Sequence, residues 1–184
     1  MSDLIIDSYS ETNQDGDAQI GNSKETSYGS SQSFTGTAAK LTRVKWYLKK
    51  SGSPTGNAYA KLYAHSGTYG TSSIPTGSAL ATSAAFDIST LTTSYQLIEF
   101  TFSGANQYDL EEGTYYVITL ESDLASSTTN IIVQGTDTTS PSHSGNYSYK
   151  TSIWNAYNPI DLPFYVYGST DATSNFLQPL LGVG

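Results

Sequence analysis

The residues of this chain that could do chemistry are few and scattered. Its two histidines, His65 and His143, stand in the contexts Ala64-His65-Ser66-Gly67 and Ser142-His143-Ser144-Gly145, which read as loops. Neither belongs to a Gly-x-Ser-x-Gly elbow or a His-Glu-x-x-His pair. With no Cys in the sequence, thiolate nucleophiles, disulfides and Cys-based zinc sites drop out together. A glycosidase would need two carboxylates facing each other across a cleft. Glu99, Glu111, Glu112, Glu121, Asp109 and Asp123 are available, but Glu99 and Glu121 fall on solvent faces of predicted strands. Asp109, Glu111 and Glu112 crowd a single turn, so no converging pair is marked and the chain reads as non-catalytic.

Two other chemistries remain. Asn13-Gln14-Asp15-Gly16-Asp17 brings oxygen-bearing side chains and a glycine together, as loops that hold Ca²⁺ do, without the bidentate closing Glu of an EF-hand. Asp15 and Asp17 therefore read either as a solvated turn or as half of a structural Ca²⁺ site, and no other cofactor is implied. The aromatic residues form two sets. Tyr47, Tyr59 and Tyr63 project from one face of two neighbouring predicted strands, and Tyr147, Tyr149, Trp154 and Tyr157 cluster in a turn-rich segment. Exposed aromatic planes stack against the C–H faces of sugar rings, with nearby Asn, Gln, Ser and Asp taking the hydroxyls. The alternative is that tyrosine is a good strand former which half-buries easily, the second set covering an open end of the fold. A surface rich in Tyr, Ser, Gly and Asn also suits contact with a protein partner.

The elements that must position these residues are strands. The 184 residues include 28 Ser, 24 Thr, 16 Gly and 15 Tyr, with 13% charged. Good helix formers are scarce and strand and turn formers abundant, which excludes a helical bundle. Val44, Trp46 and Leu48 alternate with Arg43, Lys45 and Tyr47, the period of a half-buried strand. Ala58, Ala60, Leu62 and Ala64 alternate with Tyr59, Lys61 and Tyr63 in the next run. The Ser51 to Asn57 stretch between them reads as a hairpin connection, so these two strands are expected to pair. Ile98 to Phe102 and Tyr115 to Leu120 alternate equally clearly. Further candidates are Leu4 to Tyr9, Gln32 to Thr35, Leu80 to Asp87, Ile131 to Gln134, Tyr147 to Lys150 and Phe164 to Tyr167. The expectation is an all-β fold of about 8 to 10 strands in two packed antiparallel sheets, a jelly-roll-like β-sandwich over residues 1–168. Residues 169–184 follow as an extended segment. There Phe176, Leu177, Leu180 and Leu181 either fold back over a sheet edge or dock in a groove on a neighbouring subunit or anchor protein.

At Gln32-Ser33-Phe34-Thr35, Leu41 to Lys50, Gly52-Ser53-Pro54-Thr55-Gly56, Leu62-Tyr63-Ala64-His65-Ser66-Gly67, Tyr108 to Tyr116 and Asp161-Leu162-Pro163-Phe164-Tyr165-Val166-Tyr167-Gly168, the chain resembles the choice-of-anchor type β-sandwich domains. These occur in bacterial surface and secreted proteins and in phage structural proteins, and are similar in architecture to carbohydrate-binding modules. The resemblance spans about Leu4 to Gly168. It rests on scaffold motifs, so it implies a fold and an adhesive or structural setting rather than a ligand.

Charge and hydropathy narrow the setting. A net charge of −8 and a pI near 4.4 repel nucleic acid and anionic membrane surfaces. No run approaches the ~18 apolar residues of a membrane span, and Met1 to Asp7 lacks the basic, then apolar start of a signal peptide. A hydroxyl-rich surface protein without that start fits assembly inside a cell into a particle released by lysis. The leading expectation is thus a virion protein, a phage fibre, spike or capsid-decorating component. Its partners would be other virion or surface-assembly proteins, cell-surface polysaccharide and further copies of itself, at the virion or extracellular surface. The alternative is a carbohydrate-binding module of a secreted glycan-active system.

Overall fold

The structure, a computed structural model, describes residues 3–21, 28–124 and 127–170. Phe176, Leu177, Leu180 and Leu181 lie outside the described residues. Among the described residues fourteen strands run in chain order. They are β1 (Asp3–Tyr9), β2 (Gly16–Ile20), β3 (Gly29–Thr35), β4 (Ala39–Ser51), β5 (Asn57–Ser66), β6 (Ile74–Thr82), β7 (Phe86–Asp87), β8 (Gln96–Thr101), β9 (Asp109–Leu110), β10 (Tyr115–Ser122), β11 (Ile131–Thr136), β12 (Tyr147–Lys150), β13 (Trp154–Tyr157) and β14 (Phe164–Ser169). Among the described residues there is no α-helix, only three one-turn 3₁₀ segments.

The strands form two antiparallel sheets. Sheet 1 runs β1-β14-β4-β11-β2, with β8 and β9 also on β4; sheet 2 runs β13-β12-β3-β10-β5-β6, with β7 on β5. The chain changes sheet at most connections, including β2 to β3, β3 to β4, β4 to β5, β10 to β11, β11 to β12 and β13 to β14, which gives the jelly-roll-like sandwich. The expectation that the fourth and fifth strands pair is overturned here. β4 pairs with β8, β9, β11 and β14, β5 with β6, β7 and β10, and the Ser51 to Asn57 stretch arches from one sheet to the other. Both strands show the same alternation whichever neighbour they take, so periodicity could not tell a hairpin from an arch.

Inward positions of both sheets form one core. Trp46, Phe34, Phe100, Phe164, Ile20, Leu41, Leu48, Leu62, Ile118, Leu120 and Ile132 are fully buried, and each large side chain contributes on the order of 1.5–3 kcal/mol by leaving water. Trp46 lies against Phe164 and Phe34 against Tyr116, with ring centroids 6.0 and 5.8 Å apart, within the range that aromatic pairs favour. The outward side of sheet 2 is not simply solvent-facing. Ser31, Ser33, Val117, Thr119 and Ser148 occupy outward positions and are fully buried. β6 contacts β10, β3 and β13, strands it does not pair with, so this face is covered in its middle.

Where sequence and structure differ in elements, the cause is polar strand sequence. β2 lies in the stretch that reads as an acidic loop. β13 falls in the turn-rich segment after Lys150. The extra strands raise the count above the expected 8 to 10, four of them being short additions (β7, β9) or polar edge strands (β2, β13).

Candidate functional site

The two flanks of the sandwich are built differently. On one flank the sheets are laced together by a backbone hydrogen bond, Ala84 N–H donating to the Thr101 carbonyl at 2.8 Å, just beyond β6 and at the end of β8. On the other, β2 ends sheet 1 and β13 ends sheet 2, and the sheets part around a cleft of about 340 Å³. It is lined by Asp17, Ala18, Gln19, Tyr147, Tyr149, Tyr157 and Ile160. Ladder register explains how the tyrosines reach it. Tyr147 and Tyr149 sit beside Gln32 and Ser30 on the inward side of sheet 2, and Tyr157 is opposite Tyr147 across the β12–β13 hairpin. All three therefore point to the sheet 1 side, where β2 is the last strand.

Their rings make a corner. Tyr147 and Tyr149 are nearly parallel, 23° apart with centroids at 6.3 Å, whereas Tyr157 stands at 83° to Tyr147, 6.5 Å away. Tyr147 is 6% exposed and Tyr157 48%, so the floor of the corner is fixed by packing and its wall is open to solvent. The hydroxyls of Tyr149 and Tyr157 make no hydrogen bond among the described residues. The volume lies toward the low end of the ~300–1,000 Å³ of small-ligand sites.

Of the seven aromatic residues singled out from sequence, the structure brings these three together. Trp154 is not among them: it pairs with Lys150 on the opposite, outward face of the hairpin, with the Lys150 ammonium 5.5 Å from its ring. Tyr47, Tyr59 and Tyr63 do not share a face, because β4 and β5 lie in different sheets. Tyr47 stacks on Tyr95 at 4.8 Å over Gly135 on the outside of sheet 1, where a Cβ on that glycine would come 3.1 Å from the Tyr47 ring. Tyr63 lies outside sheet 2 and donates to Glu121 at 2.8 Å. Burial and the adjacent carboxylate both push its phenol well above the ordinary range. Its hydroxyl is thus bound to the protein rather than offered to a ligand, and Tyr59 lies on the same outward side of β5.

The Ca²⁺ reading of Asp15 and Asp17 is likewise not supported by their geometry. Asp15 accepts from the Thr138 N–H (2.7 Å), the Thr138 hydroxyl (2.9 Å) and the Thr139 N–H (3.1 Å), stapling the start of β2 to the chain after β11. These donors hold its carboxyl below the usual range. Asp17 accepts from the Tyr95 hydroxyl at 2.5 Å and from Lys49 at 3.3 Å. The two carboxylates serve different partners, and no group of three or more His, Cys, Asp or Glu suited to a metal ion occurs among the described residues.

Other carboxylates are engaged in the same way. Glu99 pairs with Arg43 and Lys45 at 3.3 and 3.6 Å. Glu121, expected on a solvent face, is only 8% exposed. Desolvation pushes its pKa up, but Lys150 at 2.6 Å, Tyr63 and Lys61 outweigh it and the carboxyl titrates below its ordinary range. Among the described residues no pair of carboxylates lines the cleft, where Asp17 is the single acidic residue.

A second polar constellation was missed from sequence. His143 lies in a connection, but its ring is buried, edge-on to Phe164 at 5.1 Å. Its Nδ1 accepts from the Gly145 N–H at 3.0 Å and faces the Gln32 amide at 3.2 Å, which leaves Nε2 to donate to Asp7 at 3.2 Å. Gln32 also donates to Asp161 at 2.8 Å and accepts from the Leu162 N–H at 3.1 Å; Asp161 accepts the His143 N–H at 2.9 Å. Beside it Tyr9 donates to Asp137 at 2.5 Å, and Asp137 and Asp161 exchange backbone hydrogen bonds. Desolvation raises the Asp161 carboxyl above its usual range. This cluster ties β1, β3 and the ends of the connections around β11 and β14 through mutually hydrogen-bonded polar groups. Its sequence signal was weak, because its hydrogen-bonded pairs are up to 136 residues apart. His65 is also not in a loop: it lies one residue before the end of β5, hydrogen-bonds Ser73 at 3.0 Å and packs against Tyr69 and Tyr115. Desolvation lowers its pKa.

Comparison with known proteins finds no matching family model, no matching curated protein and no matching solved structure.

Proposed function

We propose that the protein is a non-catalytic adhesion module that binds glycans in the tyrosine-lined cleft between β2 and the β12–β13 hairpin. The observation that carries this is the corner of Tyr147, Tyr149 and Tyr157 on the open flank. The exposed Tyr157 plane gives a sugar ring a face to stack on, and half-buried Tyr149, nearly parallel to the packed Tyr147, closes the corner beside it. The engagement of Glu99 and Glu121 by cations, and the single acidic residue in the lining, argue against a glycosidase, which needs two carboxyl groups about 5–9.5 Å apart across its cleft. The test is a glycan array probed with the full-length protein and with Tyr157→Ala. Binding that Tyr157→Ala abolishes is expected, and binding that survives it moves the site elsewhere.

The setting we propose is a phage-type virion, with the sandwich as a choice-of-anchor type scaffold of a fibre, spike or capsid-decorating protein. It is supported by the hydroxyl-rich, low-charge composition and the scaffold resemblance. A carbohydrate-binding module of a secreted glycan-active system shares the cleft chemistry. Mass spectrometry separates the two: the protein co-purifies with particles in the first setting and with the culture polysaccharide fraction in the second.

A further inference from the structure

We infer that the cleft selects a neutral sugar and rejects acidic glycans, an inference that rests on the glycan-binding reading above. Among the described residues the lining holds three tyrosines, Ala18, Ile160, Gln19 and Asp17, and no Lys, Arg or His. Two cations beside the lining strands are, among the described residues, committed elsewhere. Lys49 is bonded to the Asp17 carboxylate and lies 4.3 Å from the centre of the Tyr95 ring. Lys150 follows Tyr149 but faces the other side of the sheet, bonded to Glu121 at 2.6 Å and close to Trp154.

A uronate or sialate carboxylate placed against the tyrosine rings would therefore lose water without gaining a counter-charge from the described lining, which is strongly unfavourable. The overall charge of −8 opposes its approach as well. A neutral sugar meets neither penalty. Its hydroxyls both donate and accept, as do those of Tyr149 and Tyr157, which make no hydrogen bond among the described residues. Its C–H faces match the exposed Tyr157 plane, and a cleft of about 340 Å³ suits a chain end or short stretch rather than a long polymer segment.

The experiment is affinity electrophoresis of the full-length protein through gels containing neutral polymers (a β-glucan, a mannan, a galactan) or acidic ones (polygalacturonate, alginate, hyaluronan). It includes Tyr157→Ala and Tyr149→Phe, each checked for an unchanged unfolding temperature. Retardation by at least one neutral polymer and by no acidic one is expected, weakened about tenfold by Tyr157→Ala and less by Tyr149→Phe. Retardation by an acidic polymer that Tyr157→Ala relieves overturns the neutral preference and leaves the cleft as a glycan site. Retardation by none, or retardation that Tyr157→Ala does not touch, overturns both.

Discussion

Replacing Gln32 with leucine probes the buried polar cluster at its most connected point. Gln32 is fully buried, and leucine is close to it in volume, so the change removes hydrogen bonds with little cavity. Three are lost: the donation to Asp161 at 2.8 Å, the contact with His143 Nδ1 at 3.2 Å and the acceptance from Leu162 N–H at 3.1 Å. His143 keeps the Gly145 N–H. The Leu162 N–H is left buried without a partner, at about 1–3 kcal/mol, and the bond to a carboxylate is worth about 1.5–3 kcal/mol. Together the loss is roughly 3–5 kcal/mol, which at about 2–4 °C per kcal/mol for a domain of this size lowers Tm by roughly 6–20 °C. Asp161 adds a pH signature. Its folded pKa is already raised, chiefly by desolvation, and the Gln32 hydrogen bond opposes that rise. A raised carboxyl has no effect on stability below its unfolded value near 3.9 and costs stability as pH climbs through the folded value. Losing the Gln32 donor enlarges that cost, so the deficit of the variant is smallest near pH 4 and grows toward pH 7. Differential scanning calorimetry of wild type, Gln32→Leu and the exposed control Gln96→Leu across this range measures both effects. A drop below about 3 °C for Gln32→Leu, or a deficit that shrinks as pH rises, refutes the cluster as a stabilising element.

Further outcomes are expected from other engaged groups. Glu121 titrates below its ordinary range in the fold. Its stabilising effect is therefore present above the unfolded value near 4.3 and lost as pH falls through the lower folded value. Glu121→Gln costs about 1–2 kcal/mol at pH 7, discounted because Lys61 and Lys150 are partly exposed, and flattens the acid limb of the stability curve, as urea titrations at pH 3 and 7 would show. Because Asp15 and Asp17 are occupied by protein donors, millimolar Ca²⁺ is expected to leave Tm unchanged; a rise of several degrees abolished by Asp15→Asn would restore the metal site. Phe164→Ala, which empties a fully buried position against Trp46 and His143, is expected to cost about 3–5 kcal/mol by the same urea titration, and a cost under 1 kcal/mol would contradict the packing.

The strands with strong alternation were legible in the sequence because one of their faces is buried: β4, β5, β8 and β10 sit where Trp46, Leu62, Phe100 and Ile118 required them. β2 and β13 escaped because their stability comes from a neighbour rather than from their own residues. Gly16-Asp17-Ala18-Gln19 carries no apolar period, yet its backbone pairs with β11. The site was legible in part for the same reason. Tyr147, Tyr149 and Tyr157 were identifiable as a local cluster, but which side of the hairpin each occupies depends on register, and Trp154 falls on the other side by one residue of parity. The cluster around His143 and Gln32 was beyond reach, since no short spacing links β1, β3 and the connections flanking β14.

The pairing of β1 with β14 sets when the protein can fold. β14 lies between β1 and β4, bonded to both, so the first of the described strands to leave a ribosome has no partner in its sheet until the last of them has emerged. Sandwiches built from such distant pairings assemble slowly, in milliseconds to seconds. A nascent chain stalled before Phe164 would expose the β1 edge and the inward face of β4 together, Trp46 included. That interval, rather than the finished fold, is where the protein is most open to aggregation and most in need of a chaperone.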